Sequence, residues 1–164
     1  MKYLQLFESW NTVSAEDLAS ALELNQIGVV SDNELVELKR LRATEQRIIK
    51  YKGVGDLDLA DSTLLKSLPA GLEVGGDLNL NWCYSLESLP DELTVSGDLS
   101  LYGCTGLMNL PQGLIVGGDL FLNGCSSLTS LPAGLVVDGD LNLFGCEGLG
   151  ELPQDIKVGR RIYR

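Results

Sequence analysis

A fixed spacing of 21 residues runs through about two thirds of this chain and leaves few folds open to it. A Gly-Asp pair stands at Gly55-Asp56, Gly76-Asp77, Gly97-Asp98, Gly118-Asp119 and Gly139-Asp140, and a Leu-Pro pair begins at Leu68, Leu89, Leu110, Leu131 and Leu152. The register never slips. A period of roughly 20 to 50 residues is the mark of folds built by stacking, in which each unit buries its apolar face against the next. The array predicts a solenoid of about five coils.

Within a coil, leucines two apart, such as Leu99 and Leu101, read as a short strand whose alternate residues point inward. Stacked coil on coil, these strands predict one parallel β-sheet, with right-handed connections. Leu107, Leu110, Leu114 and Val116 then carry the chain around the back, and Pro111 fixes a corner. Six Leu, Val or Ile recur per coil, thirty in all. Each is worth about 1.5–3 kcal/mol on burial before conformational entropy is subtracted, so leucine ladders suffice to hold the array without a metal.

Residues 1–54 have no such period and predict an α-helical cap on a solenoid of residues 55–164. Tyr3, Leu4, Leu6, Phe7 and Trp10 share one helical face. Ser14 with Asp17 opens a second helix that carries Leu18 and Leu22 and ends at Gly28. Ser31 with Glu34 opens a third, whose stripe is Leu35, Leu38, Leu41 and Ile48 and which reaches about Lys52. A helix-turn-helix reading is disfavoured, because the residues that would enter a DNA groove are acidic. A cap is what an array needs, since its first coil otherwise exposes a cross-section of leucine.

The sequence has a net charge of −11 and no histidine. That charge repels phosphate backbones and anionic membrane surfaces and favours basic partner surfaces. The absence of histidine removes the commonest general base and the commonest metal ligand. No apolar run approaches the roughly 18 residues that cross a bilayer, and the N-terminal stretch lacks a secretory apolar segment. The expectation is a cytoplasmic, non-enzymatic monomer with no cofactor, no bound metal, no nucleic acid and no membrane association.

The pattern Leu-x-Leu-x-x-Cys-x-x-Leu-x-x-Leu-Pro resembles the leucine-rich repeat, and its short period with Leu-Pro punctuation is similar to the bacterial and phage Leu-Pro type. The resemblance covers residues 55–164 and implies an α+β fold: a curved solenoid used for protein recognition behind a helical cap. Val-x-Gly-Asp-Leu replaces the usual Leu-x-x-Leu lead-in, and nothing resembling the ubiquitin-ligase domain of some secreted bacterial effectors with Leu-Pro repeats follows the repeats. The start, Met1 to Glu8 with its Leu6-Phe7-Glu8, also resembles the packaging leaders of internal head proteins of large tailed phages. That implies a second expectation, a structural or packaged component of a phage particle, in a host cytoplasm or a virion.

Two columns invite metal chemistry. Cys83, Cys104, Cys125 and Cys146 recur at one phase, with Ser62 in their place in the first coil. Residues at one phase form a line with neighbours about 4.8 Å apart, whereas zinc needs four thiolates around a point. Parallel side chains also oppose the torsion of a disulfide. The column reads as reduced and buried. Asp56, Asp77, Asp98, Asp119 and Asp140 form the second column, which reads as caps on backbone N–H groups of the glycine turn rather than as a calcium site.

The half coil that follows carries Arg160, Arg161 and Arg164 and reads as a charged edge strand, with a basic docking spot as the alternative. What the ladder leaves free is the outer face of the sheet. Asn81, Trp82, Tyr84, Tyr102, Phe121, Asn123 and Phe144 are the candidate partner-binding residues there, with Trp82 standing where three other coils have glycine. Exposed aromatics of this size are the usual anchors of protein interfaces.

Overall fold

A computed structural model describes residues 31–164, together with Leu22, Glu23 and Gln26. The helix expected over the first ten residues and the resemblance carried by Met1 to Glu8 lie outside the described residues. Most of the second helix does too; Leu22, Glu23 and Gln26 are helical and exposed.

Helix α1 spans Asp32–Lys50 and starts where the sequence predicts, at a complete capping box. The Glu34 N–H donates to Ser31 Oγ (3.3 Å), and the Ser31 N–H donates back to the Glu34 carboxylate (2.9 Å). Hydrogen bonds from the Ser31 hydroxyl and backbone hold the Glu34 carboxyl below its usual range. Asp32 and Glu34 in the first turn and Arg47 and Lys50 in the last suit the helix dipole. Tyr51 turns to an extended conformation, ending the helix two residues before the expected Lys52.

The array that follows is a parallel β-solenoid. Its first sheet contains β1 (Leu57–Asp58), β3 (Leu78–Asn79), β5 (Leu99–Ser100), β7 (Leu120–Phe121), β9 (Leu141–Asn142) and β11 (Ile162–Tyr163), in that spatial order. Each strand pairs in register with the residue 21 positions on, as Leu78 with Leu99. A second parallel sheet, absent from the sequence reading, runs along the back: β2 (Glu73–Val74), β4 (Thr94–Val95), β6 (Ile115–Val116), β8 (Val136–Val137) and β10 (Lys157–Val158). The expected single-sheet coil with a plain return is therefore corrected. Residues such as Ile115 and Val116 resist helix and turn conformations through their branched Cβ, and coil stacking supplies partners for their backbone.

Between the sheets the leucine ladder forms one core, which continues to Ile48 of α1 and to Tyr51 just past its end. Leu99, Leu101, Leu107, Leu114 and Val116 of the central coil are wholly buried. The helical stripe differs from expectation. Leu35 and Ile48 are buried, Leu38 and Leu41 only half so, and Thr44 and Glu45 are buried in their place.

For Thr44 the reason lies in the first coil, where Ser62 replaces cysteine. Ser62 Oγ and Thr44 Oγ1 are 2.6 Å apart, and Thr44 gives its single proton to the Arg40 carbonyl (3.0 Å), so Ser62 is the donor of the pair. Arg47 donates to the Asp58 carbonyl (3.2 Å), covering one acceptor on the outer edge of β1. Tyr51 Oη donates to the Gly55 carbonyl (2.7 Å) and accepts from the Gly75 N–H (3.0 Å). The helix thus closes this end of the ladder with polar groups matched to the polar departures of the first coil.

Replacing Thr44 with Val is expected to cost about 1–3 kcal/mol in urea denaturation, because Ser62 keeps a buried hydroxyl without its acceptor. The Thr44→Val, Ser62→Ala double variant should recover part of that loss. A double variant as unstable as the sum of the singles would show that the two hydroxyls do not interact.

Candidate functional site

The two same-phase columns fix what the outer face can carry. Each aspartate of the ladder accepts a hydrogen bond from the backbone N–H of the next aspartate along: Asp56 from Asp77 (2.9 Å), Asp77 from Asp98 (2.8 Å), Asp98 from Asp119 (2.7 Å) and Asp119 from Asp140 (2.7 Å). Asp140 accepts from Arg161 (2.8 Å). The cap therefore acts between coils, rather than within the turn of its own coil. From the second coil on, the glycine before the aspartate follows from it: a Cβ on Gly97, Gly118 or Gly139 would overlap the carboxylate and backbone of the coil before. Gly-Asp is one interlocking unit spread over two coils.

The cysteine column works in the same direction. Cys83, Cys104, Cys125 and Cys146 donate their thiol protons to the carbonyls of Leu59, Leu80, Leu101 and Leu122, at 3.4, 3.1, 3.2 and 3.0 Å. All four are free thiols. Burial pushes the Cys83 thiol up to about 11 and the Cys125 thiol to about 12, and raises Cys104 and Cys146 as well. Protonated thiols held in a closed stack are poor nucleophiles. Among the described residues no group of three or more Cys, Asp or Glu converges as metal ligands would.

The outer face of the first sheet is different. After its second leucine each coil leaves the sheet through a residue in the left-handed region: Asp61 (φ 59°), Trp82 (62°), Gly103 (71°), Gly124 (73°) and Gly145 (75°). Glycine adopts this conformation freely and aspartate tolerates it, but for tryptophan it costs about 1–2 kcal/mol. Backbone bonds on both sides fix Trp82 there, its N–H donating to the Tyr102 carbonyl (2.8 Å) and its carbonyl accepting from Tyr84 (3.0 Å).

The Trp82 ring lies over Gly103, so close that a Cβ on that glycine would sit 2.5 Å from it. Tyr102 and the Trp82 ring form a T-shaped pair, with centroids 4.6 Å apart and planes at 70°, and Tyr84 flanks it at 6.1 Å. Trp82, Tyr84 and Tyr102 remain 39%, 47% and 44% exposed. The structure brings these three candidates together as one cluster over the second and third coils.

The other candidates separate from it. Phe144 is exposed and lies 6.5 Å from Tyr163, which the sequence reading did not single out. Phe121 is half-buried. The two asparagines have framework partners: Asn81 Oδ1 accepts from the Tyr102 N–H (2.8 Å), and Asn123 Nδ2 donates to Asn142 Oδ1 (2.9 Å). Asp58 and Asp61 belong to the first coil, on the cap side of Trp82. Asp58 is in register with Asn79, and the Asp61 N–H donates to the Asn81 carbonyl (2.9 Å). Their carboxylates lie close enough to Cys83 to add to the rise of its pKa caused by burial.

No helix among the described residues is long and apolar enough to cross a membrane. The chain matches no family model, no curated protein and no solved structure in comparisons with each.

Proposed function

We propose that this chain is a non-catalytic protein-recognition module, a leucine-rich-repeat solenoid of the short Leu-Pro type, whose partner docks on the outer face of the first sheet at Trp82, Tyr84 and Tyr102. One observation carries the reading. The array needs only a left-handed residue after Asn81, which glycine provides in three later coils without strain; the chain instead holds a tryptophan there and leaves more than a third of it exposed. Strain kept at an exposed aromatic cluster is a mark of a site used for binding. The partner is a protein rather than a nucleic acid or a membrane, given the net charge of −11. Four unpaired thiols suit a reducing cytoplasm.

The test separates binding from stability. Changing Trp82 to Gly relieves the left-handed strain but removes an aromatic packing of about 0.5–1.5 kcal/mol, so the two effects nearly cancel. A Trp82→Gly, Tyr84→Ser, Tyr102→Ser variant should keep a cooperative thermal transition. It should bind the partner at least about thirtyfold more weakly, the loss expected of one interface hot spot. Unchanged affinity would discard the face. Phe121 is left untouched because its half-burial would mix stability into the result.

A further inference from the structure

The charges on the chain are segregated by coil. All twelve Lys and Arg lie at or before Lys66 or from Lys157 onward, and the stretch between them contains twelve Asp and Glu. Trp82, Tyr84 and Tyr102 belong to that cation-free stretch. Asp61 stands at the phase of Trp82 one coil back, and Asp58 at the phase of Asn79 in the same first coil, both exposed. On the cap side Arg47 donates to the Asp58 backbone carbonyl, and Thr63, at the phase of Tyr84, donates to Glu37.

We infer that the aromatic cluster is a receptor for a cationic side chain, an arginine or lysine presented by a basic segment of the partner protein. This rests on the recognition reading above and adds the chemistry of the group bound. An exposed indole with two phenols around it offers negative π faces, to which a guanidinium or ammonium is drawn, and Trp is the strongest of such rings. Asp58 and Asp61 supply the counter-charge at the rim, and the acidic coils beyond attract a basic segment over a longer range. An acidic or purely apolar partner would meet repulsion or unpaired carboxylates on the same ground.

Fluorescently labelled peptides with alternating Arg-Ser, Lys-Ser, Glu-Ser and Gly-Ser sequences, titrated into the full chain and followed by polarisation, test this. The Arg and Lys peptides should bind and the Glu and Gly peptides should not. Trp82→Gly and Tyr102→Ser should each weaken the Arg peptide by about tenfold, and Asp61→Asn by about threefold, with circular dichroism unchanged. Equal binding of all four peptides, or no binding of the basic ones, overturns the inference. So does basic-peptide binding that survives both aromatic substitutions, since it would come from the net charge alone. Tyr102→Ser, which leaves the left-handed turn alone, decides the matter where Trp82→Gly perturbs the fold. Loss of a natural partner on these substitutions without any binding of basic peptides would overturn the cationic chemistry and leave the recognition face standing. Retention of that partner would overturn the face itself.

Discussion

Raising the pH above about 9 is expected to destabilise the protein steeply, by up to about 4 kcal/mol per pH unit. Cys83, Cys104 and Cys125 are wholly buried and donate their protons to carbonyls of the preceding coil. In the unfolded chain these thiols ionise near pH 8.5. In the native chain burial holds Cys83 protonated to about 11 and Cys125 to about 12, and raises Cys104 too. Above the unfolded value the unfolded state therefore binds fewer protons than the native state, and each thiol removes about 1.4 kcal/mol per unit. The contribution is fully present below pH 8.5 or so and is lost as the pH climbs toward the native values. Urea midpoints recorded from pH 7 to 11 measure it. In a Cys83→Ser, Cys104→Ser, Cys125→Ser variant, which keeps a donor at each site, the slope should flatten to what lysine and tyrosine leave. A wild-type slope no steeper than that of the serine variant would contradict the buried ladder.

Gly118→Ala is expected to cost about 3–5 kcal/mol, while Gly113→Ala five residues away costs about 1 kcal/mol. At Gly118 the added Cβ would overlap the Asp98 carboxylate and lie 2.8 Å from the Gly97 carbonyl carbon, and no side-chain rotation avoids backbone. Either the coils separate or Asp98 gives up its bond to the Asp119 N–H (2.7 Å), with the Gly118 to Gly97 backbone bond (2.9 Å) beside it. At Gly113 the space is open, and the cost is that of a side chain at φ 72°. Denaturant unfolding of the two variants in parallel measures the difference. Equal losses would mean that glycine matters in this array only for its backbone freedom, not for the room it leaves to the carboxylate.

What the sequence made legible follows from how each feature is encoded. The period, the inward leucines, the capping box at Ser31 and the reduced cysteine column could be read because each is a residue type required at a recurrent position. The second sheet was missed because each strand is two residues long with a single inward valine, too short for an alternation to register. Its trace was the β-branched pair ahead of the Gly-Asp unit in the middle coils, Thr94-Val95, Ile115-Val116 and Val136-Val137. The direction of the aspartate cap could not be read from one coil, since donor and acceptor are 21 residues apart.

The cluster was half legible. Trp82 stood out against the glycine of later coils, and its union with Tyr84 and Tyr102 follows from stacking. The roles of Asn81 and Asn123 as framework hydrogen-bonding groups depend on side-chain geometry that the repeat pattern does not encode. Thr44 broke the apolar stripe of α1 where the helix meets Ser62, while Glu45 beside it pairs with Arg42. The departure of Ser62 from the cysteine column was the available signal.

On the proposed reading, stacking and recognition are separate properties of this chain, the first held by the ladders and the second by three exposed rings. Quantitative capture on the intact chain and on the Trp82→Gly, Tyr84→Ser, Tyr102→Ser variant, matched for thermal stability, tests it most directly. A protein retained by the first and lost by the second is the expected result. Identical sets of captured proteins on both would contradict it.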